Sequence, residues 1–373
     1  MQNPFTLGIV TNEDFCNRQK ELADLINYAE SGQNIVLYSP RRYGKSSLVG
    51  QVLKELESRK FLTVYVDLFP VSSEHDFISR FAASVFKGIG RGVDPRTFRE
   101  RVINLFSRLI PSFEVTPEGL NISVKFDSST KIELLLDDLM EGIYNYVKKK
   151  QIKACIALDE FQETIELAES KKIEGILRSH IQFHKNISYF YVGSRRRTIK
   201  DIFTNKSRPF YKSAFLYLLK EIPKKDFVSY IQRKFEKSGK NCPTQISDKI
   251  YEIVRGYPYY VQKLAFLTWD VTEKICTPDL VHKAYSLLVK IDTPDFEGIW
   301  SGLSLRQKAV LKAIAQEPTG SPFARKYLEK YGCSIGGAQK AIDALLSKDL
   351  IEKDEESRYR LTDPIMGKWL CNS

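Results

Sequence analysis

Up to position 222, short apolar runs rich in β-branched and aromatic residues alternate with stretches whose apolar positions recur at helical spacing. Ile35-Val36-Leu37-Tyr38, FLTVYVD at 61–67, Ala154-Cys155-Ile156-Ala157-Leu158, ISYFYV at 187–192 and the run 214–218 read as five buried strands. Leu22, Leu25, Ile26 and Ala29 share one face of a helix that stops at Gly32, and Leu48, Val49, Val52, Leu53 and Leu56 share a face of a second. A third helix over 76–89 presents Phe77, Phe81, Ala82, Val85 and Phe86. A fourth, over 131–150, ends in Lys148-Lys149-Lys150, which complement the helix dipole. This alternation predicts an α/β fold with a mostly parallel sheet covered on both faces. Residues 90–130 break the rhythm. They predict a basic helix at 96–110 and a hairpin at 112–126 around Pro117-Glu118-Gly119, inserted into the α/β unit.

From Pro223 the strand signals stop, and 226–238, 247–254, 259–271 and 278–289 read as consecutive helices. Gly256 suits a helix stop and Pro258 the next start. The pattern changes again at 301: helices at 304–316, 322–331 and 334–347 precede two short strands, 350–353 and 358–361, joined through Asp354-Glu355-Glu356-Ser357. Three helices and a β-wing predict a winged helix-turn-helix. Its third helix buries Ile335, Ala338, Ile342, Leu345 and Leu346 and leaves Gln339, Lys340 and Asp343 outward. The expected division is therefore 1–222, 223–300 (a helical lid) and 301–373.

Composition narrows the class. With 43% hydrophobic and 28% charged residues in 373, the chain has the balance of a soluble globular protein with two or three domains. It lacks a run of eighteen apolar residues, and MQNPFTLGIV lacks the features of a signal peptide, so no membrane association is expected. Six scattered cysteines without a C-x-x-C pair predict reduced thiols and a cytoplasmic location. The net charge of +11 raises the question of nucleic acid. Residues 185–240 alone carry fifteen Lys/Arg against four Asp/Glu, whereas the last seventy residues carry twelve against nine. DNA or a protein partner is thus a candidate for 185–240, for the 90–130 insertion or for the winged helix. The outward face of the third helix, with one lysine, Gly336 and Gly337 at its start and an acidic wing tip, favours protein contacts over base reading.

Candidate chemistry centres on 34–56. After the first strand comes Ser39-Pro40-Arg41-Arg42-Tyr43-Gly44-Lys45-Ser46-Ser47, then an amphipathic helix. Strand, loop and helix in this order form a phosphate site, because unpaired N–H groups at a helix start converge on one point and the dipole adds positive charge. Gly44 admits close backbone approach, Lys45 supplies a cation for the β- and γ-phosphates, and Ser46 is a ligand for Mg²⁺. The pattern G-x-x-x-x-G-K-[ST] asks for glycine at position 39, where this chain has serine, and Pro40 removes one N–H donor. The competing reading is a plain strand-turn-helix corner with an exposed lysine. A second signal is Asp159-Glu160 at the end of the 154–158 strand, which alone also reads as a helix cap. After a G-K-S element it reads as a pair: Asp159 for the Mg²⁺ shell and Glu160 to orient or deprotonate water, strand alternation pointing them apart. Gln162 has two readings, contact with water or a γ-phosphate, or a surface position. Ser194 and Arg195, just past the 187–192 strand, are candidates to sense the γ-phosphate, since ligands collect at the carboxyl ends of such strands.

NPFTLGIV, SPRRYGKSSL, ALDEF, YVGSRRRTIKDIF, RPFYKSA, RGYPYYVQKLAF and the terminal winged helix together resemble the archaeal-type ATPases. These belong to the signal-transduction (STAND) branch of the P-loop NTPases, related to the AAA+ class, and the resemblance covers nearly the whole chain. It implies a P-loop NTPase parallel sheet followed by a helical lid and a winged helix, binding ATP or ADP with Mg²⁺ and hydrolysing ATP. The expected function is an ATP-hydrolysing switch that couples nucleotide state to the lid and the winged helix, the alternatives being a DNA-binding regulator gated by ATP and a non-hydrolysing scaffold that holds ADP. The family's P-R-R form of the loop matches Pro40-Arg41-Arg42. The resemblance also implies that Pro258 of Gly256-Tyr257-Pro258 packs near adenine, with 15–22 on the base's other side, and that Ser194 and Arg195 occupy the sensor position. Arg208 is a candidate arginine finger, in cis or from a neighbouring subunit; oligomeric state is left open.

Overall fold

A computed structural model describes residues 2–8, 16, 18–91, 98, 102, 105–116, 119–332, 335–354 and 356–372, which form two compact units. The first gathers Gln19–Ser39 and Lys45–Leu219. The second gathers the described residues of Met1–Arg18, together with Pro40–Gly44 and Lys220–Ser373.

The first unit is built on β1 (Ile35–Tyr38), β2 (Leu62–Asp67), β5 (Ala154–Asp159), β6 (Ile187–Gly193) and β7 (Phe215–Leu218). They lie in the order β2-β5-β6-β1-β7, and every pair is parallel. All residues of β5 and β6 are buried, as expected of central strands covered on both faces. This order sets three carboxyl-terminal strand ends side by side: β5 ending at Asp159, β6 at Gly193, and β1 opening into the loop. Helices α1 (Gln19–Glu30), α2 (Lys45–Ser58), α3 (Glu74–Gly90) and α4 (Ile132–Lys150) match the expected apolar faces. Two further helices, α5 (Ser170–Ile181) and α6 (Arg196–Thr204), bury Ile173, Leu177 and Ile181, and Ile199, Ile202 and Phe203.

The insertion holds a hairpin of β3 (Ile110–Thr116) and β4 (Gly119–Lys125), paired from Ile110↔Lys125 to Thr116↔Gly119. Of the basic helix expected at 96–110, seven positions (96, 97, 99–101, 103 and 104) lie outside the described residues, and Phe98 and Val102 are helical. Its last positions are not helical. Buried Asp138 accepts hydrogen bonds from the Ser107, Arg108 and Leu109 N–H groups and from Ser107 Oγ (2.8–3.2 Å), which turns the chain into β3.

The second unit contains α7 (Lys224–Lys237), α8 (Thr244–Ile253), α9 (Pro258–Val271) and α10 (Pro278–Ser301). Gly256, at φ 66°, ends the turn after α8 and donates its N–H to the Tyr251 carbonyl, and Pro258 opens α9. Helix α10 runs twelve residues beyond the expected Val289 and carries Pro294 inside it, because Asp292 and Phe296 on either side of the proline are both buried. Packing here outweighs the lost backbone bond.

The winged helix follows: α11 (Leu305–Gln316), α12 (Arg325–Lys330), α13 (Ile335–Ser347), β8 (Ile351–Lys353), β9 (Tyr359–Leu361) and α14 (Pro364–Asn372). A capping box between Ser304 and Gln307 starts α11. Helix α12 is shorter than the expected 322–331, since Ser321-Pro322-Phe323 form a turn before it. Helix α14 was absent from the expected pattern, and it buries Ile365, Met366 and Leu370. On α13, Ala338, Ile342 and Leu345 are buried while Gln339, Lys340 and Asp343 are exposed, as the sequence implied.

Candidate functional site

Ser39, where the phosphate-loop pattern asks for glycine, is fully buried with φ negative, so its Cβ is tolerated. Its N–H donates to the Gly193 carbonyl (3.5 Å) and its carbonyl accepts from Lys45 Nζ (3.1 Å). The positive φ falls instead on Arg42 (64°) and Gly44 (83°). A Cβ placed on Gly44 would meet nothing within 4 Å, so its backbone angle, rather than a crowded neighbour, calls for glycine in this structure. Lys45 is 5% exposed, which excludes the exposed-lysine corner. Ser46 and Ser47 follow in the first turn of α2.

Asp159 meets this element directly. Ser46 Oγ donates to Asp159 Oδ2 at 2.6 Å across 113 residues of chain. Tyr65 Oη, from β2, donates to the same oxygen at 2.5 Å, and the Glu160 N–H donates to Oδ1 at 2.9 Å. Burial pushes the Asp159 carboxyl above the ordinary range, while the Ser46 and Tyr65 hydroxyls pull the other way. The Tyr65 phenol is likewise pushed up, by burial first and then by Asp159. Tyr65 went unnoticed in the sequence because it reads as one more residue of a β-rich run.

Glu160 departs from the expected geometry. It sits just past β5 with φ 54°, so a left-handed turn, not strand alternation, separates its side chain from that of Asp159. Its Oε2 accepts from Ser194 Oγ (2.7 Å), from the Ser194 N–H (3.3 Å) and from Gln162 Nε2. Gln162 is fully buried, which excludes the surface reading; it braces Glu160, and its Oε1 has no hydrogen-bond partner among the described residues. Gly193 makes room for this contact, since a Cβ there would lie 2.4 Å from Gln162 Oε1 and from Ile199 Cδ1. Arg195 is held by Glu163 (2.8 Å) and Glu166 (3.0 Å) of the 3₁₀ turn Phe161–Glu166. Arg208, the candidate finger, pairs with fully buried Glu174 on α5 and is itself mostly buried, which ties it to an intramolecular ion pair.

The middle of the loop, Pro40–Gly44, belongs to the second unit and is held there. Tyr257 Oη donates to the Arg41 carbonyl (2.5 Å), and Arg18 donates to the carbonyls of Tyr43 (3.3 Å) and Lys220 (2.6 Å). The Arg42 guanidinium lies 4.4 Å over the Tyr259 ring. Tyr43 is buried edge-on to Tyr257 (4.8 Å), and its hydroxyl donates to Glu221 (3.0 Å). Pro258 is buried in the first turn of α9. Of the 15–22 stretch, Phe15 and Asn17 lie outside the described residues, and buried Arg18 reaches the loop.

The donor set suits a Mg²⁺–nucleotide. A hydroxyl and a buried carboxylate, both hard oxygen donors, meet beside a lysine and a helix start. The Ser46–Asp159 pair is the cation candidate that this oxygen chemistry supports.

Comparison with known proteins identifies the family and the fold. Residues 15–264 match the family described as the ATPase domain predominantly from Archaea, and residues 294–372 match a probable winged helix domain. An uncharacterized ATP-binding protein of Methanocaldococcus jannaschii is 37% identical over 71 residues, 18% of this chain; the match spans about a fifth (21%) of that relative. A Walker-type ATPase of Pyrococcus abyssi superposes with a TM-score of 0.71 at 17% identity, covering 99% of both chains. The ORC2 protein of Aeropyrum pernix, in ADPNP and ADP complexes, superposes at 0.57 with 15% identity, covering 97% of this chain and 96% of that one. The fold is thus that of a P-loop ATPase carrying a C-terminal winged helix, and the chain belongs to the family of ATPase domains found predominantly in Archaea.

Proposed function

We propose that this chain is a cytoplasmic, Mg²⁺-dependent ATPase that works as a nucleotide-gated switch, divided into an ATPase domain (1–222), a helical lid (223–300) and a winged helix (301–373). The observation that carries the reading is the 2.6 Å bond between Ser46 and Asp159, which joins the phosphate loop to the acidic strand end. The loop Ser39–Ser47 binds the phosphates through the N–H groups that follow Pro40 and through Lys45, and Ser46 and Asp159 hold the cation. Mg²⁺ bound there supplies charge neutralisation as negative charge shifts between the β- and γ-phosphates. Glu160, held by Ser194 and Gln162, orients the attacking water and accepts its proton. Ser194 bonds to Glu160 just before α6, so a change at the water site reaches that helix. Arg195, held by Glu163 and Glu166, acts as a sensor only if it leaves those carboxylates.

Support for the switch comes from α9, whose first residues touch two functional parts. Tyr257 and Tyr259 hold the loop, while Tyr260 Oη donates to Asp363 (2.5 Å), which caps α14 through the Ile365 and Met366 N–H groups. The winged helix is assigned to protein contacts. Its exposed α13 face offers Lys340 beside Asp343, and its wing pairs Arg358 with Asp354 and Glu356.

The test is a pair of variants. Lys45→Ala is expected to weaken ATP binding at least tenfold, and Glu160→Gln to keep binding while lowering turnover about 10²-fold or more. Turnover by Glu160→Gln at the parent rate would remove Glu160 from the mechanism.

A further inference from the structure

The phosphate loop is conformationally costly by itself. Arg42 occupies the left-handed region at φ 64°, which costs a residue with a Cβ free energy that its surroundings must offset. Those surroundings are on the same compact unit as the loop middle. Tyr257 Oη takes the Arg41 carbonyl, Arg18 takes the Tyr43 carbonyl, and Arg42 lies over Tyr259. A peptide group is planar and trans, so its carbonyl and its N–H point in opposite directions. Holding the Arg41 carbonyl therefore fixes the direction of the Arg42 N–H, turning it away from Tyr257. Holding the Tyr43 carbonyl does the same for the Gly44 N–H. These N–H groups lie in the stretch that the site assigns to phosphate.

We propose that Tyr257 is a positioning residue for nucleotide binding: its hydroxyl, by fixing the Arg41–Arg42 peptide, presets the phosphate loop in the orientation that receives the β-phosphate. The inference rests on the nucleotide reading above and extends it to a residue whose role lies in its hydroxyl rather than in the base-stacking expected of the adjacent Pro258. Preset donors bind a phosphate without first ordering the loop, so removing the clamp costs affinity and not fold. The ring has a separate part, packing edge-on to Tyr43, and a phenylalanine keeps it.

The experiment compares the full-length protein with Tyr257→Phe and Tyr251→Phe. Tyr251 also donates its hydroxyl to a backbone carbonyl (Ile222, 2.9 Å) but does not touch the loop, so it controls for loss of such a bond in general. Calorimetric titration with Mg-ADP is expected to give about five- to tenfold weaker binding for Tyr257→Phe and less than twofold change for Tyr251→Phe. Hydrogen exchange without nucleotide should accelerate in the peptide spanning 39–47 for Tyr257→Phe alone, with β6 unaffected, a local effect that general destabilisation would not produce. Wild-type affinity and loop exchange in Tyr257→Phe would overturn the proposal, as would equal loss of affinity in both variants. If the parent protein binds no Mg-ADP, the nucleotide reading itself has failed, an outcome visible before any variant is made. Should Tyr257→Phe unfold, Arg18→Lys, which loses the planar fork to the Tyr43 and Lys220 carbonyls, is expected to give the same loop-specific exchange.

Discussion

Ser46 and Asp159 lie 113 positions apart in sequence and 2.6 Å apart in space, and either one alone is weak evidence. Their meeting follows from the strand order, which puts the end of β5 two strands from the end of β1, within reach of the first turn of α2. The residue types were legible because the chemistry needs a hydroxyl, a lysine and a carboxylate after apolar strands. Their bracing was not legible, because Tyr65, Gln162 and Tyr257 look in sequence like ordinary β-rich or aromatic positions, and only the fold brings them to the loop and to the strand ends. Glu160 was placed correctly past the strand, but its direction is set by a left-handed turn that no local pattern announces. If the Ser194 hydroxyl holds Glu160 in place, Ser194→Ala should lower kcat about tenfold or more with little change in KM, read by steady-state phosphate release. An unchanged kcat would leave Ser194 outside the catalytic arrangement.

At the scale of elements, apolar periodicity located the five strands of the sheet and most helices. It missed where side chains override the pattern. Asp138 is such a case, a carboxylate on α4 that is 6% exposed and gathers three N–H groups and a hydroxyl to start the hairpin. Asp138→Ala removes the acceptor of four hydrogen bonds and leaves the Leu109 N–H buried without it, and a loss of about 1–3 kcal/mol in urea unfolding is expected; a loss under 0.5 kcal/mol would contradict the assignment. His184, just after α5, stacks on Tyr144 and shares a hydrogen bond of 2.8 Å with the buried Tyr189 hydroxyl. Burial, and then the nearby His180, pushes His184 down to about 4. The folded state thus resists a proton that the unfolded chain takes near the ordinary 6.5, so this contribution is whole above pH 6.5 and fades as the pH falls towards 4. Because the ring is partly solvated, the loss is about 1–3 kcal/mol over that window. Urea unfolding of the parent and His184→Gln at pH 7 and pH 4.5 should show the smaller pH response in the variant.

Across the whole molecule, the net charge of +11 invited a search for nucleic acid, and the distribution of charge argues against the winged helix as its reader. Its wing ties Arg358 to Asp354 and Glu356, and Arg360 to Glu352, so two of its cations are internally neutralised. Any binding of duplex DNA should therefore be unchanged in Lys340→Ala at low salt; tight, steeply salt-dependent binding that needs Lys340 would reverse the assignment. Periodicity could mark the helical and winged segments but not the division of the loop itself, whose middle belongs to one compact unit and whose ends belong to the other. That division arises from contacts distant in sequence, such as Tyr257 with Arg41. The most direct test of the central claim, that the loop and the Asp159 strand end form a Mg²⁺–nucleotide site, is calorimetric titration of the full-length protein with ATP, first with Mg²⁺ and then with a chelator. The account predicts a one-site isotherm with Mg²⁺ that weakens at least tenfold under chelation and in Asp159→Asn. No heat with Mg-ATP, or binding indifferent to both the metal and Asp159, would contradict it.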